Sequence, residues 1–199
     1  MNSKRLFDCS LAIIGLLLLS PLLLLIAVLI KLTSRGPVFF RQKRVGQFER
    51  AFYIHKFRTM VINAEASGLK ITVGRDPRIT PLGHLLRKSK LDELPQLIDV
   101  LYGSMSVVGP RPEVPEFIKY YPPEARAIIF QLRPGITDSA SIKMIDENEI
   151  LGRAVNPHQV YIEQILPEKL AYAVAYAQRH NLYLDIQLIY LTIIKIITR

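Results

Sequence analysis

The sequence predicts an α+β protein, with an apolar N-terminal helix in a membrane followed by a small, mainly helical domain that carries a short β-hairpin. Three observations predict it. From Leu11 to Ile30 only Gly15, Ser20 and Pro21 interrupt apolar residues, and twenty helical residues cover about 30 Å, the thickness of a bilayer's hydrocarbon core. Two runs, "GPVFFRQKRVG" and "AFYIHKFRTM", mix aromatic and β-branched residues with basic ones on either side of Gly46, as paired strands do. Beyond residue 80 helical segments alternate with proline and glycine breaks. The chain therefore divides into a membrane element over 1–34 and a domain over 35–199.

The apolar run has basic flanks at both ends, Lys4 and Arg5 before it and Lys31 and Arg35 after it. The positive-inside rule puts both ends on the cytoplasmic side. Pro21 lacks an N–H and clashes with the Leu17 carbonyl, which bends a helix. The Ser20 hydroxyl is placed to bond back to a freed carbonyl. A helix that enters, kinks at Ser20-Pro21 and leaves on the same side satisfies both observations. A kinked but ordinary span satisfies the second equally well, because spanning helices tolerate proline. No small-x-small cleavage site follows, which argues against a signal peptide.

Residues 31 to 60 hold eight Lys or Arg and one acid, Glu49, which suits the surface of an anionic leaflet. Residues 61–80 read as a short helical piece and then a loop with Gly74, Asp76 and Pro77. Thr80 is an N-cap with Pro81 at the first helical position. A second start follows at Asp92, with Pro95 in the first turn of "ELPQLIDVLYG". "SVVGPRPEVPEF" reads as a proline-stiffened loop. "PPEARAIIFQLRPGITDSASI" gives a helix and a turn at Pro134-Gly135. "NPHQVYIEQILPEKLAYAVAYAQRHN" reads as a helix in two parts broken at Pro167. The last segment, "LYLDIQLIYLTIIKIITR", is an apolar helix too short to span, which packs into the core or lies on the membrane.

The chain of 199 residues carries a net charge of +9, and its mean hydropathy of +0.22 is high for a soluble domain. A basic balance points to an anionic partner. The single cysteine, Cys9, excludes an intrachain disulfide and reads as a small apolar filler. The sequence has no GxGxxG, Walker A or GxSxG motif. The four histidines, His55, His84, His158 and His180, lack metal-ligand spacing, and His84 reads as a helix-surface residue.

"KLDELPQL" places Asp92 and Glu93 side by side. Taken alone, acids in a first helical turn match the helix dipole. Their setting adds to this: Arg87, Lys88 and Lys90 precede them, and "GPRP" holds Arg111 between two prolines. Carboxylates among such cations suit a phosphate site. The acids could hold Mg²⁺, which takes one or two carboxylates with substrate phosphate oxygens, or one could attack phosphorus. Phosphoryl transfer depends on charge neutralisation and positioning.

"GPVFFRQKRVG", "FYIHKFRTM", "ITPLGHLLRKSKLDELPQLIDVLYGSMSVVGPRPE" and "RPGIT" occur in the order typical of bacterial sugar transferases, the monotopic phosphoglycosyl transferases acting on polyprenyl phosphate. The chain resembles a small member consisting of the catalytic domain alone. The resemblance is dense from Gly36 to Glu113 and looser after Thr137. It implies a re-entrant helix broken at Ser20-Pro21 and a cytoplasmic domain resting on the inner membrane through amphipathic helices, in contact with phospholipid. It implies that Asp92 attacks the β-phosphate of a UDP-sugar, that UMP leaves, and that undecaprenyl phosphate takes the phosphosugar. It further implies Mg²⁺ close to Asp92, Glu93 as orienter or proton handler, and Arg87 and Arg111 near the phosphates. The expected role is the start of surface-glycan assembly. One departure stands out: many relatives follow "PGIT" with Gly, an aromatic residue and "AQ", whereas this chain reads "PGITDSASI". Asp138 there either alters the site or caps the next turn. Two other classes compete. One is a catalytically silent membrane adaptor in glycan assembly. The weakest is a nucleic-acid binder, since the common nucleic-acid motifs are absent and no nucleic-acid partner is expected.

Overall fold

The computed structural model describes residues 3–62, 64, 74, 76–144 and 147–198; most of the helical piece expected within 61–80 lies outside them. Helix α1 runs unbroken from Ser3–Thr33 with Pro21 inside it. The Ser20 hydroxyl donates to the Leu17 carbonyl at 2.8 Å. That carbonyl is the one four residues before Pro21, so the hydroxyl replaces the missing N–H donor. Among the described residues α1 is the helix long and apolar enough to cross a bilayer.

Both halves of α1 dock on the same body. Near its start, the Arg5 guanidinium donates to the Val100 and Leu101 carbonyls, the buried Asp8 accepts from the Ser106 hydroxyl at 2.8 Å, and Ala12 packs with Ile54, Val100 and Met105. Near its end, Ile26 and Ile30 pack with Phe57 and Leu86, and Arg58 donates to the Ser34 carbonyl and hydroxyl. The other side, including Leu17, Leu18, Leu24 and Leu32, is exposed.

Strands β1 (Phe39–Val45) and β2 (Ala51–Phe57) form the expected antiparallel hairpin, paired from Phe39 with Phe57 to Val45 with Ala51. Thr80 caps α2 (Pro81–Lys88), accepting from the Gly83 N–H at 3.0 Å, as its sequence position predicts. A 3₁₀ turn over Leu91–Glu93 leads to α3 (Gln96–Tyr102). The stretch expected to be a proline-stiffened loop begins as a strand, β3 (Ser106–Val108), which pairs in parallel with β4 (Gly135–Thr137), where a turn at Pro134-Gly135 was expected. Gly109 and Gly135 make this approach possible: a Cβ on Gly135 would lie 2.1 Å from the Gly109 nitrogen. Between the strands lie a 3₁₀ segment, Pro115–Tyr120, and α4 (Pro123–Ile129).

Helices α5 (Ser139–Lys143) and α6 (Glu147–Arg153) follow. The expected break at Pro167 is absent. Helix α7 (Pro157–Val160) passes through a π-helical turn, Tyr161–Ile165, straight into α8 (Leu166–Arg179). In this wider turn the Leu166 N–H donates to the Tyr161 carbonyl five residues back, and Pro167 falls in the first turn of α8, where a missing N–H is tolerated. The largest core joins Phe117, Ile129, Phe130, Leu151, Ile165 and Leu170. Helix α9 (Leu182–Ile197) buries Asp185 and Leu188 and exposes Tyr183, Ile186, Tyr190, Ile193 and Ile197. It packs one face into the core and leaves another apolar and open.

Candidate active site

A cavity of about 500 Å³ lies between the hairpin, the α2–α3 connection and the helices that follow. Phe40, Gln42 and Arg44 alternate along β1 to line it, with Lys56, the cross-strand partner of Phe40. Arg87 reaches it from the last turn of α2. That helix lies directly on the backbone after β2, since a Cβ on Gly83 would sit 2.1 Å from the Thr59 carbonyl oxygen. The Arg87 Nε donates to the Thr59 hydroxyl at 2.8 Å. Burial pushes the Arg87 guanidinium below its usual value, while Asp92 and Asp76 pull it up. His84 is exposed, as expected of a helix-surface residue.

Lys90 takes a left-handed conformation, φ 57°, and turns the chain from α2 into the 3₁₀ turn carrying both carboxylates. Asp92 is 7% exposed and Glu93 8%. The second helix does not start at Asp92, as its sequence suggests. The acid sits in the 3₁₀ turn, Pro95 occupies the position before α3, and no side chain caps that helix.

The two acids differ in every respect but burial. Glu93 accepts from Lys56 Nζ at 2.7 Å and from both terminal nitrogens of Arg111. Burial alone would raise its carboxyl; Arg111 and Lys56 outweigh that and hold it well below the usual carboxylate range. Arg111 is raised in turn by Glu93. Burial pushes the Lys56 ammonium down against the pull of Glu93. Asp92 Oδ1, by contrast, is buried with no hydrogen-bond partner. Burial raises its carboxyl, Lys56 opposes that, and Glu93 adds to it. An orphaned buried oxygen is costly, and Asp92 lines the cavity together with Lys56, Arg87, Lys90 and Arg111.

Among the described residues no group of three His, Cys, Asp or Glu side chains could hold a metal. Glu93 is committed to two cations, which leaves Asp92 as the dyad acid with a free oxygen. That fits Mg²⁺ shared between one carboxylate and substrate phosphates, and does not fit a closed protein cage. Asp138 caps α5, accepting from the Ser141 N–H at 2.8 Å, so the capping alternative holds; it also lines the cavity.

Two features were missed in the sequence. Asp99, 1% exposed on α3, accepts from the His55 N–H at 2.8 Å and lies 2.7 Å from His55 Nδ1, so it clamps α3 to the strand that carries Lys56. An acid inside the apolar run "LIDVLY" was the available signal. Glu113, at the end of "GPRPE", accepts from the Tyr161 hydroxyl and the Val114 N–H, with Arg44 at 3.5 Å.

A family model described as bacterial sugar transferase matches residues 1–199. The chain belongs to this family. Among curated relatives, a UDP-N-acetylgalactosamine-undecaprenyl-phosphate N-acetylgalactosaminephosphotransferase of Aeromonas hydrophila is 38% identical over 98% of the chain and 44% of its own length. A UDP-glucose:undecaprenyl-phosphate glucose-1-phosphate transferase of Xanthomonas campestris pv. campestris is 38% identical over 98% of the chain and 39% of its own length. A protein of the same description from Caulobacter vibrioides is 35% identical over 98% of the chain and 70% of its own length. The chain thus spans about two fifths of the first two relatives.

Proposed function

We propose that this bacterial sugar transferase moves a sugar-1-phosphate from a UDP-sugar to undecaprenyl phosphate through a phosphosugar carried on Asp92, as the first step of surface-glycan assembly. The observation that carries the reading is Asp92, which lines a cation-rich cavity and has a buried oxygen with no hydrogen-bond partner. The names of the relatives supply the donor and acceptor classes.

An Asp92 oxygen attacks the β-phosphorus, and the bond to the bridging oxygen of the α-phosphate breaks with release of UMP. An oxygen of undecaprenyl phosphate then attacks the same phosphorus and frees the carboxylate. Lys56, Arg87 and Arg111 offset the repulsion between a carboxylate and a diphosphate. Glu93 holds Lys56 and Arg111 in place and is a positioning residue, in preference to the proton handler allowed by the resemblance. Mg²⁺, held by Asp92 and the donor phosphates, would supply further charge neutralisation.

Both ends of α1 are tied to one body while its other side is apolar and exposed. This supports a helix that returns to the side it entered from, with the domain on the cytoplasmic face of the inner membrane against phospholipid. The test uses purified protein in detergent with Mg²⁺ and a panel of UDP-sugars. The expected result is UMP release equal to the protein present and a mass increase of one phosphosugar, both lost in Asp92→Asn. Turnover by Asp92→Asn with acceptor present would refute the covalent route, and a wild type that releases no UMP with any donor would favour the adaptor.

A further inference from the structure

The cavity has a second polar end that the phosphate chemistry does not use. Glu113, Glu147, Tyr161 and Lys169 line it together with Arg44. Lys169 Nζ donates to Glu147 at 2.9 Å and lies 3.5 Å from the Tyr161 hydroxyl. Tyr161 in turn donates to Glu113. Arg44 stands between the two ends, donating to the Pro112 carbonyl and to Gln42.

A local distortion of the helix builds this end. In an uninterrupted α-helix, residues eight apart lie about 80° out of line. The π-helical turn at Tyr161–Ile165 contributes an additional residue and brings the eighth residue back over the first. Lys169 Nζ accordingly lies 5.0 Å from the centre of the Tyr161 ring. Such turns are frequent at functional sites.

We infer that Lys169 and Glu147 form the subsite that reads the hydroxyl or amide groups of the donor's sugar, with Tyr161 as the residue that positions Lys169 and Glu113. The inference rests on the proposed transfer from a UDP-sugar. Two arms leave a β-phosphate bound at Asp92, the uridine arm and the sugar arm. A pyranose is recognised by charged and hydroxyl partners, which this end supplies. A base stacks on open aromatic faces, and the Tyr161 ring is already covered by Lys169 and by Phe117, 4.6 Å away. A cavity of this volume lies within the range of about 300–1,000 Å³ typical of ligand sites. Two relatives of equal identity are named for different sugars, so overall similarity does not set the sugar, and a few side chains are enough to do so.

The test compares Lys169→Met, Glu147→Gln and Tyr161→Phe with wild type in detergent with Mg²⁺. The KM for the donor turned over by the wild type should rise on the order of ten- to a hundredfold, the range for losing a hydrogen bond to a charged group, or the ranking of sugars should change. The Kd for UDP alone should stay within about twofold, and Lys169→Arg should restore part of the donor affinity. Equal weakening of UDP would place the uridine arm here and overturn the inference. So would unchanged KM and ranking, which would leave a purely structural ion pair. Those failures require an active wild type; a wild type that neither binds UDP nor releases UMP overturns the parent reading as well.

Discussion

Asp92 and Glu93 are adjacent and equally buried, yet neutralising them should move stability in different directions. Glu93→Gln keeps the shape and removes the charge that balances Lys56 and Arg111. Removing one partner of a buried ion pair costs about 3–5 kcal/mol. The isosteric amide retains one acceptor, which places the cost near the lower figure, about 3 kcal/mol. A domain of this size shifts by roughly 2–4 °C per kcal/mol, so the melting temperature should fall by roughly 6–12 °C. Asp92→Asn removes a charge whose Oδ1 has no hydrogen-bond partner and whose carboxyl is raised by burial. A raised carboxyl means the fold disfavours the charged form, so its neutral isostere should leave the melting temperature unchanged or higher. The assay is thermal unfolding of both variants in one detergent at pH 7 without donor, since bound ligand would add its own stabilisation. A fall in Asp92→Asn as large as that in Glu93→Gln would refute the distinction between a held and an unheld acid.

Acid unfolding should carry the same signature. Glu93 is held well below its ordinary value of 4.5, so its stabilisation is complete above about pH 4.5 and is lost as pH falls further; Glu93→Gln should flatten that limb in pH-resolved denaturant titrations. Gly135→Ala should lower stability by at least about 2 kcal/mol in urea titration, because its methyl would meet the Gly109 backbone and force the strands apart; wild-type stability would show that the glycines are not in such close approach. In a Cys9→Ser background, cysteines placed at Ser3 and at Arg35 should both react with an impermeant reagent from the same side of the membrane, and reaction from opposite sides would sink the re-entrant reading.

The hairpin, the Thr80 cap and the Ser20 back-bond were legible because each rests on a local rule: alternation, capping chemistry or a proline's missing donor. The β3–β4 pair was not legible. Three-residue strands carry no usable periodicity, and their pairing depends on two glycines twenty-six positions apart in the chain, Gly109 and Gly135. The continuous passage through Pro167 was missed because a π-helical turn has no clear sequence mark. Asp92, Glu93, Arg87 and Arg111, singled out because acids and arginines cluster along the chain, come together on one cavity. Their partners were not legible, because the Lys56–Glu93 contact spans 37 positions and Tyr161–Glu113 spans 48.

The pairing explains why two acids are present where one does the proposed chemistry. Lys56 lies near enough to Asp92 to pull its carboxyl down, yet its hydrogen bond goes to Glu93. Without Glu93, the nearby cations would be free to pair with Asp92, and a carboxylate in a tight ion pair is a poorer nucleophile because its charge is already met. Glu93 occupies Lys56 and both terminal nitrogens of Arg111, so they stay in the cavity, charged and oriented, without closing on the neighbouring acid. The fold bears the cost of one buried unpaired oxygen on Asp92, and under the proposed function a donor diphosphate that brings its own cation would relieve it.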